Sequence, residues 1–174
     1  MIDWSHLLSA GIGGGSVLVI RSLWRAIAAD VAKRITTTLW GIRAFDVCTP
    51  PFMRHPLWSG TWRVTWFVKS ANFEPSNADS GRLYRCFNSI AFEGSGTTTT
   101  GRRIPYGFVG KLSRDKSIAT GIWFDRRGGD GGYHGVFQLR ASGNGHQAAG
   151  KWAGFSETSS AIKADKIEWQ RIGD

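Results

Sequence analysis

Thr61-Trp-Arg-Val-Thr-Trp-Phe-Val68 and Tyr133-His-Gly-Val-Phe-Gln-Leu-Arg-Ala141 decide the fold. In the first stretch Trp62, Val64, Trp66 and Val68 alternate with Thr61, Arg63, Thr65 and Phe67. In the second, Tyr133, Gly135, Phe137 and Leu139 alternate with His134, Val136, Gln138 and Arg140. A period of two sends alternate side chains to opposite faces of a sheet, so both stretches are predicted as half-buried strands. Further strand candidates are Arg82–Phe92, Ile104–Leu112, Ile118–Asp125, Ala148–Phe155 and Ile162–Ile172. They are set apart by turn-rich pieces such as Arg126-Arg-Gly-Gly-Asp-Gly-Gly132 and Ser142-Gly-Asn-Gly145. This makes about seven strands, or eight if the 94–103 region supplies one. Short strands joined by tight turns predict a mainly β domain, a small antiparallel up-and-down barrel, because closure removes exposed strand edges.

Gly-x-Trp recurs as Gly60-Thr-Trp62, Gly121-Ile-Trp123 and Gly150-Lys-Trp152, with each Gly on the same face as its Trp. The three rings are expected to point inward and to lie over bare glycine backbone of neighbouring strands. There they either fill a narrow barrel or line a pocket and stack on a ligand ring.

Composition supports this outline. The chain has 174 residues, room for one compact domain with a modest appendage and not for a two-domain enzyme of ordinary size. Nine Trp, ten Phe and 23 Gly against five Pro and two Met fit a twisted sheet with rings packed on glycine. Twenty-two Lys and Arg against 13 Asp and Glu give +9, which serves solubility or meets an acidic partner: a nucleotide phosphate, a nucleic acid or an anionic membrane face. Residues 1–55 hold six of the basic and three of the acidic residues, so most of the excess belongs to the barrel. Cys48 and Cys86 are the only cysteines and are too far apart in sequence to form a close metal-ligand pair. With no secretion signal and no N-x-Ser/Thr acceptor, both thiols are expected to be reduced.

Before the strands the period is helical. Ile20, Trp24, Ile27, Val31, Ile35, Leu39 and Ile42 recur every three or four residues and predict one long helix from Val17 to Phe45. Arg21, Arg25, Lys33, Arg34 and Arg43 lie beside or behind the stripe. The uncharged run Leu7–Ile20 has 14 residues, short of the roughly 20 of a spanning helix. Pro50 and Pro51 end the helix. The predicted organisation is a helical membrane or assembly region at 1–45, a linker at 46–57 and a ligand-binding barrel at 58–174. The helical region either docks on the barrel, assembles subunits or lies on a membrane.

No metal, cofactor or catalytic motif stands out. His6, His55, His134 and His146 are scattered, there is no P-loop, and Gly11-Ile-Gly-Gly-Gly-Ser16 lacks the strand and βαβ unit of a dinucleotide site. Basic residues interleaved with aromatics remain. An Arg fork grips phosphate and an aromatic face accepts a base, so Arg102, Arg103, Tyr106, Arg126, Tyr133 and Arg140 are the candidate ligand-binding residues.

The runs Tyr106-Gly-Phe-Val-Gly110, Gly121-Ile-Trp-Phe-Asp125, Tyr133-His-Gly-Val-Phe-Gln-Leu139, Gly150-Lys-Trp-Ala-Gly-Phe155 and Ile167-Glu-Trp-Gln-Arg-Ile172 carry a resemblance. Over roughly residues 58–172 the chain resembles the SMODS-associated, membrane-linked β-barrel effectors of bacterial cyclic-oligonucleotide anti-phage signalling. The resemblance implies a non-enzymatic lipocalin-like barrel that binds a cyclic di- or oligonucleotide and forms homo-oligomers. It also implies N-terminal helices that disturb the inner membrane, with the barrel facing the cytoplasm. This chain departs from the family in having one short Gly-rich run and one basic amphipathic helix in place of two membrane spans, so a cytoplasmic location is the alternative. Two other functions fit the residues: a lipocalin-like binder of an apolar small molecule and a single-stranded nucleic-acid-binding protein. A strictly apolar lumen favours the first of these, and several inward Arg count against it.

Overall fold

The computed structural model describes residues 22–50, 56–125, 133–156 and 159–173. The chain divides into two compact units, Met1–Ile35 and Thr36–Asp174. Helix α1 occupies residues 22–37 and leaves Leu23, Trp24, Ile27 and Val31 exposed, with Arg34 Nε 2.9 Å from the Asp30 carboxylate one turn away. No helix of the described residues is long and apolar enough to cross a membrane. The run Leu7–Ile20 lies outside them.

The long helix expected through Phe45 is divided. At Thr38 the backbone is extended (φ −107°, ψ 144°), and its Oγ1 accepts the Gly41 N–H at 3.1 Å. Thr36, Thr37 and Thr38 are β-branched and lose side-chain freedom inside a helix, whereas a threonine oxygen at the end satisfies an orphan N–H. Thr38 thus caps a second helix, α2 (Leu39–Cys48). Helix α2 buries Leu39, Ile42 and Asp46, and the compact unit that contains the barrel begins at Thr36. Asp46 ties α2 to the following sheet: its carboxylate accepts Arg82 Nη2 at 2.7 Å and the Arg85 backbone N–H at 3.2 Å.

A 3₁₀ turn (Pro56–Trp58) leads into nine strands: β1 (Thr61–Phe67), β2 (Ser76–Arg82), β3 (Tyr84–Cys86), β4 (Ser89–Thr97), β5 (Arg103–Leu112), β6 (Ile118–Asp125), β7 (His134–Ala141), β8 (Gln147–Ser156) and β9 (Ala161–Gly173). They form one antiparallel sheet in the order β2-β1-β9-β8-β7-β6-β5-β4-β3 that curls into a nearly closed barrel. The mainly β, up-and-down architecture agrees with the period-two reading; the strand count exceeds it. Arg82–Phe92 is not one strand, because Leu83 interrupts it and Phe87 turns the chain with φ 51°. Ser-Asn-Ala-Asp-Ser-Gly-Arg, residues 76–82, forms a strand although it carries no apolar alternation.

Strands β2 and β3 are halves of one bent segment. The first half pairs with β1 and the second with β4, while the gap between β2 and β4 is bridged by side chains. Asp79 Oδ2 accepts the Ser95 N–H at 2.5 Å and the Ser95 Oγ–H at 2.8 Å; Asn77 Oδ1 accepts the Thr97 N–H at 2.7 Å. Below this seam, Trp58, Trp62, Phe92, Phe137 and Trp169 fill one end of the barrel. Trp58 donates to the Lys116 carbonyl at 2.7 Å and Trp62 to the Ser59 carbonyl at 2.9 Å.

Trp62→Ala is expected to cost about 3–5 kcal/mol, read as a lowered denaturant midpoint, because the indole is fully buried. Asn77→Ala should cost about 1–3 kcal/mol by orphaning the Thr97 amide, and hydrogen exchange at Thr97 should accelerate.

Candidate functional site

The other end of the barrel is left unfilled. A cavity of about 270 Å³ opens there, lined among others by Trp66, Phe73, Tyr106, Trp123, Tyr133 and Trp152. Two of its indoles are pinned by their own N–H groups. Trp123 Nε1 donates to the Ala153 carbonyl at 3.1 Å and Trp152 Nε1 to the Phe67 carbonyl at 2.8 Å. The two rings meet edge to face with centroids 5.5 Å apart, and Trp66 packs edge on against Trp152 at 6.5 Å and Tyr106 at 6.0 Å. With these N–H groups occupied by backbone, Trp123 and Trp152 offer the cavity carbon and π surface and no donor.

Glycine lets the rings lie this close to the wall. A Cβ on Gly154 would stand 2.5 Å from Trp123 Cζ2, and one on Gly96 2.5 Å from Trp66 Cζ2. Of the three Gly-x-Trp rings, the expectation of an indole over a neighbouring strand's glycine holds for Trp123, since a Cβ on Gly135 of the adjacent β7 would stand 2.6 Å from its Nε1; Trp66 over Gly96 of β4 is a similar contact outside that motif. All three Gly-x-Trp rings point inward, but they divide: Trp62 is core, while Trp123 and Trp152 line the cavity.

Polar groups at the cavity are few. Asp125 Oδ1 accepts the Tyr133 N–H at 3.0 Å, and the Asp125 N–H donates to the Tyr133 carbonyl at 2.9 Å, tying the ends of β6 and β7 together. Lys163 lies at the lining and reaches the Lys69 carbonyl at 3.5 Å. Tyr106 is 6% exposed, and its hydroxyl makes no hydrogen bond of ordinary geometry. Burial first, and the Asp79 carboxylate second, push its phenol well above the usual tyrosine range; the Trp66 side chain opposes them only in part. Tyr106 stays a neutral hydroxyl throughout the physiological range.

Of the six residues expected to bind a ligand, Tyr106 and Tyr133 come together at the cavity. Arg102 lies in the exposed turn before β5 and is held by backbone bonds to Thr98. Arg103 points outward from β5, donating to Ser95 Oγ, with its guanidinium 3.6 Å from Asp79. Arg140 stands on the outer face of β7, opposite Ile118 and Ala149. None of the three lines the cavity: Arg103 and Arg140 sit one residue out of phase with the inward row, and Arg102 lies in the turn before the strand begins. Arg126 lies outside the described residues. The site also holds residues not picked out before: Trp66, Phe73, Asp125, Phe155 and Lys163. Lys163 was legible, being in phase with the inward residues Ile167 and Trp169 on one strand.

No protein-family model matches the chain, and no curated protein matches it. Among solved structures it is similar to a redesigned β-barrel (TM-score 0.45, 19% identity, covering 67% of this chain and 92% of that one). It is also similar to the redesigned β-barrel mFAP1 bound to DFHBI, with TM-score 0.44 and 19% identity over 66% of this chain and 95% of that one. A third such structure, the redesigned β-barrel mFAP0 bound to DFHBI, gives TM-score 0.43 and 19% identity over 66% of this chain and 99% of that one.

Tyr106→Phe is expected to leave stability unchanged or raise it, because it deletes a buried hydroxyl without a partner. A loss of about 1 kcal/mol or more in denaturant melts would reveal a bond that the geometry does not contain. Gly154→Ala should destabilise by roughly 1–3 kcal/mol and shift the tryptophan emission, since the pinned Trp123 ring has to move.

Proposed function

We propose that the barrel is a non-enzymatic binding module that takes one flat, largely apolar small molecule into its mouth. The observation that carries this reading is the lining itself: eight of its eighteen described residues are aromatic and none is an arginine. A cyclic oligonucleotide presents two or more fixed phosphates, each calling for a charge-assisted donor. Arg102, Arg103 and Arg140, the cations first expected to meet them, stand away from the lining. A volume of about 270 Å³ lies just under the roughly 300–1,000 Å³ of pockets for drug-sized ligands, which suits a single fused or biaryl ring system.

Affinity in such a site comes from removing the ligand's flat faces from water and stacking them on rings that are already in place. The backbone bonds of Trp123 and Trp152 fix those rings beforehand, so little side-chain entropy remains to be lost on binding. Asp125 and Lys163 supply one charge of each sign at the lining, enough to orient a ligand bearing a polar edge without selecting a polyanion.

Release of bound small molecules from purified protein by denaturation, followed by mass spectrometry, tests the reading, together with tryptophan-emission titration of the full chain using anilinonaphthalene sulfonate as a planar probe. Saturable quenching at one probe per chain is expected. Trp123→Ala should weaken it by on the order of tenfold, about 1.4 kcal/mol. No saturable quenching, combined with calorimetric binding of a cyclic dinucleotide, would move the assignment to a phosphate-reading barrel.

A further inference from the structure

We infer that the outer wall of β6–β9 beside the cavity mouth docks on an anionic lipid surface. The strand register carries the argument. Ile122, Val136, Ala153 and Ala164 stand opposite one another in a single outward row across four strands. Two residues nearer the mouth, Phe124 faces His134 and Phe155 faces Ile162. Ile122, Val136, Phe155 and Ile162 are 53%, 56%, 55% and 76% exposed, Phe155 at the rim also reaching the cavity lining, so the two rows, His134 apart, form an apolar band in place of the polar outer face an antiparallel barrel ordinarily shows water.

Charge says what covers the band. Two residues behind the apolar row, on the same face, Thr120, Gln138, Lys151 and Lys166 form the next row, with Lys111 opposite Thr120. Lys151 and Lys166 are direct cross-strand partners, a like-charge contact that costs stability in isolation. Glu168 pairs with Lys166 at 2.6 Å, and among the described residues Lys151 makes no ion pair. Same-face rows lie about 7 Å apart along a strand. Apolar groups at the rim with lysines one row behind match an interface in which the side chains enter the acyl boundary and the ammonium groups meet lipid phosphates. The convex wall of a barrel also seats more fully in a fluid surface than against a rigid flat one.

Co-sedimentation of the full chain with phosphatidylcholine vesicles, with and without phosphatidylglycerol, tests this assignment. Wild type is expected to pellet with the anionic vesicles. Phe155→Ser with Ile162→Ser should lower the bound fraction severalfold, and Lys151→Gln should weaken binding to the anionic vesicles alone. Wild type remaining in the supernatant, or the double variant pelleting as wild type does, would overturn the assignment; the second result would place any lipid contact elsewhere, as on α1. A change of subunit number in lipid-free sedimentation velocity caused by the double variant would give the band to a second copy of the chain instead. Should the double variant lose its cooperative melt, Ile162→Cys in a Cys48→Ser background, labelled with a polarity-sensitive fluorophore, replaces it. A blue shift on adding anionic vesicles is expected, and an unchanged spectrum overturns the docking face.

Discussion

Closure of the sheet depends on two side chains of β2. An open antiparallel sheet leaves a row of unpaired N–H and C=O groups at each edge. Here no backbone ladder joins β2 to β4, and the Asn77 amide and Asp79 carboxylate reach across to the Thr97 and Ser95 amides in place of backbone carbonyls. Everything inside follows from that closure. A sheet left open along β2 and β4 would expose Phe92, Tyr106 and Trp66, whose rings pack along the inner side of the seam: Gly81 and Gly94 lie against Phe92, Gly94 against the Tyr106 hydroxyl, and Gly96 against Trp66.

Inside the closed wall, one row of aromatic residues serves two purposes, separated by depth. At the far end Trp62, Trp169 and Trp58 meet with centroids 6.0–6.4 Å apart and leave no room. Toward the mouth, Trp66, Trp123 and Trp152 meet edge on at similar spacing but leave the cavity beside them. Residue type does not set the difference, since both ends use tryptophan. Trp58 sets it: the 3₁₀ turn before β1 lays this extra ring over the far end, where it is fully buried, and the Lys116 carbonyl ties its N–H.

Most of the strand plan was legible because its signal is periodic. Thr61–Val68 and Tyr133–Ala141 alternate cleanly, and the inward phase of Trp62, Trp66, Phe137 and Leu139 follows from that alternation alone. Ser76–Arg82 was not legible: its inward positions carry Asn77, Asp79 and Gly81, the residues that closure requires, so the strand that completes the barrel has no apolar pattern. The helix break at Thr38 was hidden for a related reason. The stripe continues through Leu39 and Ile42 with unbroken spacing, and only the run of three threonines marks the break. Of the site, the tyrosines and tryptophans were readable as inward rings. The arginines were suggested by chemistry, Arg102 and Arg103 being adjacent and so oppositely directed, and for Arg140 the strand's own alternation pointed away from the lumen.

The same alternation explains how a chain of net charge +9 holds an apolar cavity. Arg63, Lys111, Arg140, Lys151 and Lys166 all occupy outward positions and are exposed. Burying any of them among the rings would require a paired anion or a neutral form. These cations therefore collect on the outer surface while the lumen, with Lys163 at its lining, stays mostly carbon. Overall charge in such a barrel describes the surfaces the protein meets in solution, and it carries little information about what the barrel encloses. In a barrel of alternating strands, the charge of the wall and the chemistry of the cavity can be set by different residues of the same strand, one position apart.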